Sequence, residues 1–520
     1  MVPSLINSDF AVLFAVVLGG AYLWATSRRP ARRYFPGPKG LPLIGNLGQI
    51  PTKHTWRYWE KLSKIHGPIV RLTLNRDEIL ILNDPKDAEE LLGRRSHNYS
   101  SRPPLVYAGK YQSANKRMLL TPYGKTLKRQ RAFFAQMIQP RTVGGYEGIQ
   151  ETEATKLLHN MMADPTNATR HSRRFAASLV FHLSYGGRLK DDDNDLEAVT
   201  RILHDFVREA FPGAHIVDSF PWLDDILPEI LAPWRKEATE RHKYAMSVYQ
   251  RLALEVKSQM ENDEAGVECF TARVWEEVKA QGKTEVDLEE LAYLPGTAFE
   301  AGTDTSTGIM QWFVMAMLLY PDTLHKAQAE LDSVVGADGE TMPGFAHFSR
   351  LPYCCALVKE VLRWAPPAPG AFPHSSDHDD EYKGCFIPAK TIVIASIWSM
   401  HHNEEIFPDS YTFKPERFVN ADKLEVDPND LLEGHYTFGF GRRKCPGMHL
   451  GGKSMWIGIV RMLWAFDIEY ARDVDGKPIP VDPENCTPGM TSKPNDFPHI
   501  VSARSATHKR TVLNTFAITK

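Results

Sequence analysis

The sequence predicts a mainly α-helical protein with a small β portion. Apolar residues recur with helical periodicity along most of the 520 residues, whereas strand-like runs are few and short. Strands and helices do not alternate, which argues against a parallel βαβ sheet. The clearest helical runs are 151–162, 196–211, 241–260, 288–319 and 323–335. The strand-like runs are 69–74, 79–82 and 391–394.

The composition is that of an ordinary globular protein. Hydrophobic residues make up 43% of the chain, charged residues make up 24%, and the formal net charge is −3. These values exclude a mainly disordered chain, a collagen-like fibre and a multi-span membrane protein. A nearly neutral chain is also not expected to bind nucleic acid. The six cysteines include no CxxC pair, which argues against a disulfide scaffold and a structural zinc site.

Residues 1–30 are predicted to form an N-terminal transmembrane anchor. The uncharged run from Phe10 to Thr26 has 17 residues, and a helix of that length spans about 25 Å. Four arginines follow within seven residues of this run, so the positive-inside rule places the rest of the chain in the cytosol. A cleaved secretory signal is the alternative, but its positive charges would precede the apolar run.

Two further regions follow the anchor. Residues 31–53 form a Pro/Gly-rich linker, in which the three prolines between residues 35 and 46 oppose helix formation and stiffen the chain. Residues 54–520 contain no repeat and no second change of composition, which indicates one catalytic domain. GxGxxG does not occur in the chain, so a dinucleotide-binding or flavin domain is not expected.

The most informative segment is FGFGRRKCPG, from Phe438 to Gly447. Cys445 follows a glycine-rich bend and precedes a predicted helix over 448–466. The positive end of that helix and three basic neighbours are expected to favour the thiolate. Gly439 lets the backbone approach a flat partner closely. A thiolate in this setting is a suitable axial ligand for haem iron; a buried structural cysteine is the alternative.

The spacing F-x-x-G-x-R-x-C-x-G resembles the cysteine motif of the cytochrome P450 haem–thiolate monooxygenases. The resemblance covers residues 34–505 and implies the cytochrome P450 fold, haem b as cofactor and Cys445 as the iron ligand. It also implies that other residues of the loop contact the haem and that a buried network supports the loop from behind. The haem-contacting loop residues are Phe438, Gly439, Arg443 and Gly447. The network residues, in an ExxR and a PERF motif, are Glu360, Arg363 and Arg417.

Haem propionates need cations, and the resemblance provides five candidates. In the family motif that contains Arg131, Leu127 replaces the usual tryptophan, and Lys128 is a candidate to supply the missing hydrogen bond. The alternative for each candidate is a surface cation. The candidates are Arg102, Lys128, Arg131, His374 and Arg443.

The segment FEAGTDTS, residues 299–306, lies within the predicted helix 288–319. Asp304 and Thr305 resemble the family's acid–alcohol pair, which delivers protons during oxygen activation. A polar notch with a solvated aspartate is the alternative. Glu300 lies one helical turn earlier and has two open interpretations, since it either faces the substrate or pairs with a buried base.

The resemblance also implies partners. No flavin or iron–sulfur motif occurs in the chain, so electrons are expected from an NADPH–cytochrome reductase in the endoplasmic reticulum membrane, with cytochrome b5 as an additional donor. Basic residues at 125, 128, 129, 442 and 444 are expected to guide that docking. The lipid bilayer is the second partner, and the apolar segment 211–234 favours an apolar small-molecule substrate.

Similarity to fungal microsomal enzymes of secondary metabolism favours a terpenoid-like substrate. Two other function classes remain open. The first is a haem–thiolate isomerase or peroxygenase that needs no reductase, and the second is a non-enzymatic haem sensor. The Asp304–Thr305 pair argues against both, because neither class needs a proton relay.

Overall fold

The computed structural model describes residues 32–42, 44–74, 77–190, 194–211, 213–262, 268–280, 288–419 and 426–519. The predicted anchor, residues 1–30, lies outside the described residues. Among the helices of the described part, none has the length and the hydrophobicity that a bilayer-spanning helix needs.

Helices dominate the architecture, as the apolar periodicity predicts. Every predicted helical run forms a helix, although several begin earlier than expected. The helices before residue 262 are α1 (Thr55–His66), α2 (Pro85–Ala88), α3 (Lys125–Ile138), α4 (Pro140–Val143), α5 (Glu147–Ala163), α6 (Ala168–Tyr185), α7 (Asn194–Glu209), α8 (Ile216–Ser219), α9 (Trp222–Ile226) and α10 (Pro233–Glu261). The later helices are α11 (Phe270–Ala280), α12 (Leu288–Leu319), α13 (Pro321–Val335), α14 (Pro352–Trp364), α15 (Ile397–His401), α16 (Met448–Ala465) and α17 (Ala506–Thr519).

The β portion is small, which confirms the predicted mainly helical class with a small sheet. Strands β1, β2, β6 and β3 form one sheet in that order, in which β1 and β3 run antiparallel to their neighbours and β2 runs parallel to β6. Two further sheets, β4–β5 and β7–β8, have two strands each. The strands are β1 (Ile69–Leu74), β2 (Asp77–Leu82), β3 (His374–Ser375), β4 (Asp380–Tyr382), β5 (Cys385–Ile387), β6 (Ile392–Ala395), β7 (Phe466–Tyr470) and β8 (His499–Ala503).

Alternating side chains bury both faces of the four-stranded sheet. Val70 and Ile81 belong to the main hydrophobic core, whereas Leu80, Leu82 and Val393 belong to a second apolar cluster on the other face. Successive residues of a strand point to opposite faces, so the same short strands join both clusters. The sheet thereby connects the residues before 120 with those after 370.

Helix α12 forms the centre of the helical body. It has 32 residues, which corresponds to a length of about 48 Å, and packs against α6, α7, α10 and α16. Most of its side chains are buried, as are those of α16. Because α16 follows Cys445 directly, this packing fixes the cysteine loop relative to α12.

The linker packs along β1. The backbone N–H of Arg71 donates to the carbonyl of Pro36 (2.8 Å), and Phe35 is buried. A Cβ on Gly37 would lie 1.8 Å from the carbonyl oxygen of Arg71. This position therefore requires glycine, because any side chain would collide with the strand.

Candidate active site

The cysteine loop is a tight backbone turn. The N–H of Cys445 donates to the carbonyl of Phe438 (2.9 Å), which closes the loop. Gly439 and Gly441 have φ values of +74° and +57°, a region that favours glycine. A Cβ on Gly441 would lie 1.9 Å from the carbonyl oxygen of Leu92. Neighbouring backbone therefore requires a glycine in this bend.

Cys445 is exposed, whereas the other five cysteines are buried. Although its sulfur is accessible, the surrounding protein raises the pKa of the Cys445 thiol, and the Gly447 N–H and Arg131 offset this only in part. The sequence-based expectation of a lowered pKa is therefore wrong. One reason is that the Arg442 guanidinium points to the Tyr123 hydroxyl and that of Arg443 binds backbone carbonyls.

The predicted network behind the loop is buried and complete. Arg363 donates twice to the carboxylate of Glu360, from Nε to Oε2 (2.7 Å) and from NH2 to Oε1 (2.8 Å). Arg417 Nε and the Lys414 backbone N–H also donate to Oε1, at 3.1 and 2.8 Å. Glu360 and Arg363 have no exposed side-chain surface. Four donors thus bind one carboxylate in the protein interior.

Hydrogen bonds join this network to the cysteine loop. Arg363 donates to the carbonyl of His401 (2.8 Å), and Nε2 of the same histidine accepts the backbone N–H of Tyr436 (2.8 Å). The Thr437 hydroxyl donates to the carbonyl of Leu362 in α14 (2.9 Å). The N-terminal half of the loop is therefore positioned by α14 and α15.

Four of the five predicted propionate-binding cations lie together. Burial and the charges of Arg443 and Arg131 hold the pKa of Arg102 well below its ordinary value. Burial and Arg131 lower the pKa of Arg443 to about 10. Burial and Arg102 likewise lower the pKa of His374. Burial thus disfavours the charged form of each of these groups, and for each except Arg131 a neighbouring positive charge adds to the effect. A bound dianion would stabilise the charged forms.

Lys128 does not join this cation cluster. Its side chain is exposed, and its Nζ lies 5.3 Å from the ring centroid of Tyr123. Leu127 and Arg131 are four residues apart and share one face of α3, whereas Lys128 is rotated by about 100° from Leu127. Helical geometry therefore directs Lys128 away from the cluster.

One stretch of α12 is accessible. The helix is buried on both sides of residues 301–306, but within them only Thr303 is buried. The Thr305 hydroxyl donates to the carbonyl of Ala301 (2.8 Å). A Cβ on Gly302 would lie 2.5 Å from Val180 Cγ2 in α6. Close packing between the two helices thus accounts for the glycine, while the opposite face stays open.

Asp304 and Thr305 have different partners. Asp304 Oδ1 accepts from Lys493 Nζ (2.5 Å), and Oδ2 accepts from the Thr491 hydroxyl (3.1 Å). The sequence predicted neither partner, because both lie almost 190 residues further along the chain. Local sequence carries no signal for such a contact.

Glu300 forms a buried ion pair with Arg117. NH1 of Arg117 donates to Glu300 Oε2, and NH2 lies 3.3 Å from Oε1. The guanidinium also lies 3.8 Å from the ring centroid of Phe206. Burial raises the pKa of Glu300 despite the nearby arginine. Of the two interpretations, pairing with a buried base is therefore the one that the structure supports.

Comparisons with known proteins match this geometry to a family. The cytochrome P450 family model matches residues 35–498. A cytochrome P450 monooxygenase of Armillaria gallica is 36% identical over 503 residues, which cover 96% of this chain and 95% of the relative. Cytochrome P450 monooxygenase aneD of Aspergillus aculeatus is 34% identical, with 98% and 96% covered. The chain belongs to the cytochrome P450 family.

As a cytochrome P450, the chain is an oxygen-incorporating oxidoreductase of the monooxygenase class with haem–thiolate chemistry. The residues present fit that cofactor. Cys445 is an accessible sulfur on a loop that the Glu360 network holds, and the clustered arginines are opposite in charge to the two propionates. The accessible stretch of α12, residues 301–306, leaves one face of this otherwise buried helix open to a cofactor or substrate.

Buried histidines beside the loop predict acid sensitivity of this cytochrome P450. His435 donates from Nε2 to the carbonyl of Leu431 (3.0 Å) and accepts the Thr437 N–H at Nδ1 (3.4 Å), so its ring is neutral. Burial lowers the pKa of His435 to about 4 and that of His402 to about 3. Both rings have a pKa near 6.5 in the unfolded chain. Between pH 6.5 and the lower pKa values of the folded chain, the unfolded chain therefore binds more protons than the folded chain does.

Stability is therefore full above pH 6.5 and is lost as the pH falls towards 4. The expected loss in the free energy of unfolding is about 1.4 kcal/mol per pH unit for each histidine. Urea unfolding at several pH values between 7 and 5 measures this slope. In the His435→Gln variant this slope should be smaller by about the contribution of one histidine. An unchanged slope would contradict the assignment of acid sensitivity to His435.

Proposed function

We propose that this cytochrome P450 is a membrane-bound monooxygenase that uses O2 and reductase-supplied electrons to hydroxylate, or further oxidise, an apolar small molecule. The supporting observation is one short segment, Arg117–Thr121, that links the two halves of the site. Arg443 donates to the carbonyl of Met118 in this segment (3.2 Å), and Arg117 binds Glu300, one turn before Asp304. The cysteine loop and the accessible stretch of α12 therefore border the same segment.

In this proposal Cys445 ligates the haem iron, and Phe438, Gly439 and Gly447 complete the loop around it. Haem, when bound, supplies the oxygen activation. One oxygen atom enters a substrate C–H bond and the other leaves as water, so protons must reach the site. Thr305 presents its hydroxyl at the accessible stretch, and Asp304 carries a carboxylate beside it. Such a positioned hydroxyl and carboxylate are suited to proton delivery.

The cations have a separate role from the proton relay. Arg102, Arg131, His374 and Arg443 bind the propionates and thereby orient the haem plane. Their mutual repulsion decreases when an anion is bound, which favours a bound cofactor over an empty cluster. Lys128, being exposed, is not assigned this role.

Electron supply comes from an NADPH–cytochrome reductase, with cytochrome b5 as an additional donor. Exposed Lys125, Lys128 and Arg442 on the cysteine side provide positive charge for docking, which mainly speeds the encounter. Arg129 contributes less, because it binds Glu290 at 2.6 Å.

Exposed apolar residues support membrane attachment beyond the predicted anchor. The helices α8 and α9 and the turn after them expose large apolar side chains, which a bilayer surface would cover. In this proposal the domain lies on the cytosolic side of the endoplasmic reticulum membrane, as the arginines that follow the predicted anchor favour. The exposed residues are Ile216, Trp222, Ile226, Ile230 and Leu231.

An apolar cluster supports an apolar substrate, for which a terpenoid-like scaffold is the favoured class. The cluster lies where the segment 105–120 meets α7 and a C-terminal segment that contains Met490. All its members are apolar. The Arg117 guanidinium lies 3.8 Å from the Phe206 ring centroid, but it is paired with Glu300, so an entering hydrocarbon would not leave an unpaired charge without water. Its members are Leu105, Ala108, Leu119, Leu120, Phe206, Val207, Ala210 and Met490.

The Thr305→Ala variant tests the proposed relay. With reductase, NADPH and a sesquiterpene hydrocarbon that the wild type oxidises, product per NADPH is expected to fall by about tenfold or more. Hydrogen peroxide should account for the missing reductant. Parallel assays of NADPH, oxygen, peroxide and product measure this coupling.

Thr303→Ala is the matched control. Its hydroxyl also donates to the carbonyl four residues earlier (2.6 Å), but it is buried. It should therefore retain coupling if only the accessible hydroxyl matters. Unchanged coupling in Thr305→Ala would count against the relay. Product formation from peroxide without reductase would favour the peroxygenase alternative.

A further inference from the structure

A C-terminal turn, residues 487–493, is seated on α12 beside Asp304. The turn is closed by two hydrogen bonds, from the Thr487 N–H to the Lys493 carbonyl (2.9 Å) and from the Lys493 N–H to the Thr487 hydroxyl (3.1 Å). A Cβ on Gly308 would lie 3.2 Å from Lys493 Cβ. The absence of a side chain at Gly308 therefore lets the turn lie close against the helix.

Two further contacts fix the turn. Trp312, one turn after Gly308, donates from Nε1 to the carbonyl of Ser492 (3.2 Å). On its other side the turn places Met490 in the apolar cluster with Phe206. The turn thus lies between the cluster proposed for substrate and the helix that carries the proposed relay.

Both oxygens of the Asp304 carboxylate are bound by this turn, one by Lys493 and one by Thr491. The Asp304 and Lys493 side chains are 18% and 27% exposed. Because both side chains are partly shielded from solvent, this ion pair is expected to be stronger than a fully exposed surface ion pair, which contributes little net stabilisation. It also leaves the lysine end in contact with solvent, whereas Thr305 lies at the accessible stretch of α12.

We propose that Lys493 is a positioning residue for proton delivery, which acts with Thr491 by holding the Asp304 carboxylate in one place and orientation. This inference rests on the proposed relay. A carboxylate bound at both oxygens samples few rotamers, so its position relative to Thr305 is fixed. Proton transfer depends steeply on such geometry. Neither residue belongs to the motif that suggested the relay.

The Lys493→Met variant tests this role. Its length is close to that of lysine but it lacks the ammonium, so product per NADPH is expected to fall by about threefold to tenfold. Lys493→Arg keeps a cation at Asp304 and should restore most of the coupling. Lys383→Met is the matched control, because Lys383 pairs with Asp87 at the same distance, 2.5 Å, away from the site. It should leave coupling unchanged.

A double-mutant cycle with Asp304→Asn separates this inference from the proposed relay. If Lys493 acts only through Asp304, then Lys493→Met causes no further loss of coupling in the Asp304→Asn protein. An additive loss in the double variant, or full coupling in Lys493→Met, would overturn the inference while leaving the relay intact. Full coupling in Asp304→Asn would overturn the relay, and the positioning role with it.

Hydrogen–deuterium exchange provides a readout that does not depend on turnover. In the full chain, amide exchange across residues 487–493 is expected to rise severalfold in both Lys493→Met and Asp304→Asn, because each removes the ion pair that joins the turn to α12. Exchange in residues 455–465 of α16 should stay unchanged. Unchanged exchange in the turn would show that Lys493 does not hold Asp304, and this would also overturn the inference.

Discussion

Serine in place of Cys445 is expected to abolish the thiolate-type absorption band of the reduced, carbon-monoxide-bound protein and all monooxygenase turnover. A serine hydroxyl is a far weaker acid than a thiol and does not provide the soft anionic ligand that haem–thiolate chemistry requires. The loop itself should persist, since the bond that closes it joins backbone atoms of residues 445 and 438. The variant therefore changes the ligand without changing the turn.

Cys269→Ser is the control for this prediction. Cys269 is buried, its pKa is raised to about 11 by burial, and its sulfur accepts the backbone N–H of Ala272 (3.4 Å). A serine oxygen accepts the same bond, so the spectrum of this variant should match that of the wild type. A thiolate-type band in Cys445→Ser, measured on purified protein with unaltered far-ultraviolet circular dichroism, would contradict the assignment of the ligand.

Much of the fold follows from local sequence. The bounds predicted for α12, residues 288–319, agree with the structure, because its apolar residues are continuous and its length exceeds any strand. Helix α10 begins at Pro233, eight residues before the predicted start. Its first turns carry mainly charged and polar residues, so apolar periodicity does not mark them, although proline at a first helical position is a known start signal.

The site was predictable where a motif fixes both partners, and not where the partners are distant. Glu360 and Arg363 lie three residues apart on one helix, so their pairing follows from helical spacing. The Arg117–Glu300 and Lys493–Asp304 pairs join residues 183 and 189 positions apart. Such pairs depend on how whole helices and turns pack, and a single sequence does not encode that in any local pattern.

The ionisation of Cys445 shows the same limit. Helix polarity and basic neighbours are visible in sequence and predict a lowered pKa, but desolvation of the thiol by the surrounding protein is the larger cause and raises the pKa. This desolvation depends on how the whole loop packs against other elements. Directions of pKa shifts are therefore less predictable from sequence than the identity of the ligand.

Glu360→Gln is expected to cause the largest loss of stability among single substitutions in the supporting network. The carboxylate accepts four hydrogen bonds, two of them from Arg363, and lies fully buried. Glutamine removes the negative charge and presents an NH2 group where a donor already points, so two guanidinium groups lose their counter-ion. Breaking one side of a buried ion pair costs about 3–5 kcal/mol. Urea unfolding measures this loss.

Glu340→Gln is the matched control, because Glu340 pairs with Arg510 at 2.6 Å but both side chains are 58% exposed. An exposed pair contributes at most about 1 kcal/mol, so this variant should unfold near the wild-type midpoint. Equal midpoints for the two variants would contradict a stabilising role of the network. Because Arg363 reaches the loop through His401 and Tyr436, Glu360→Gln should also raise amide exchange across residues 436–445 and lower the amount of haem retained on purification, whereas Glu340→Gln should change neither.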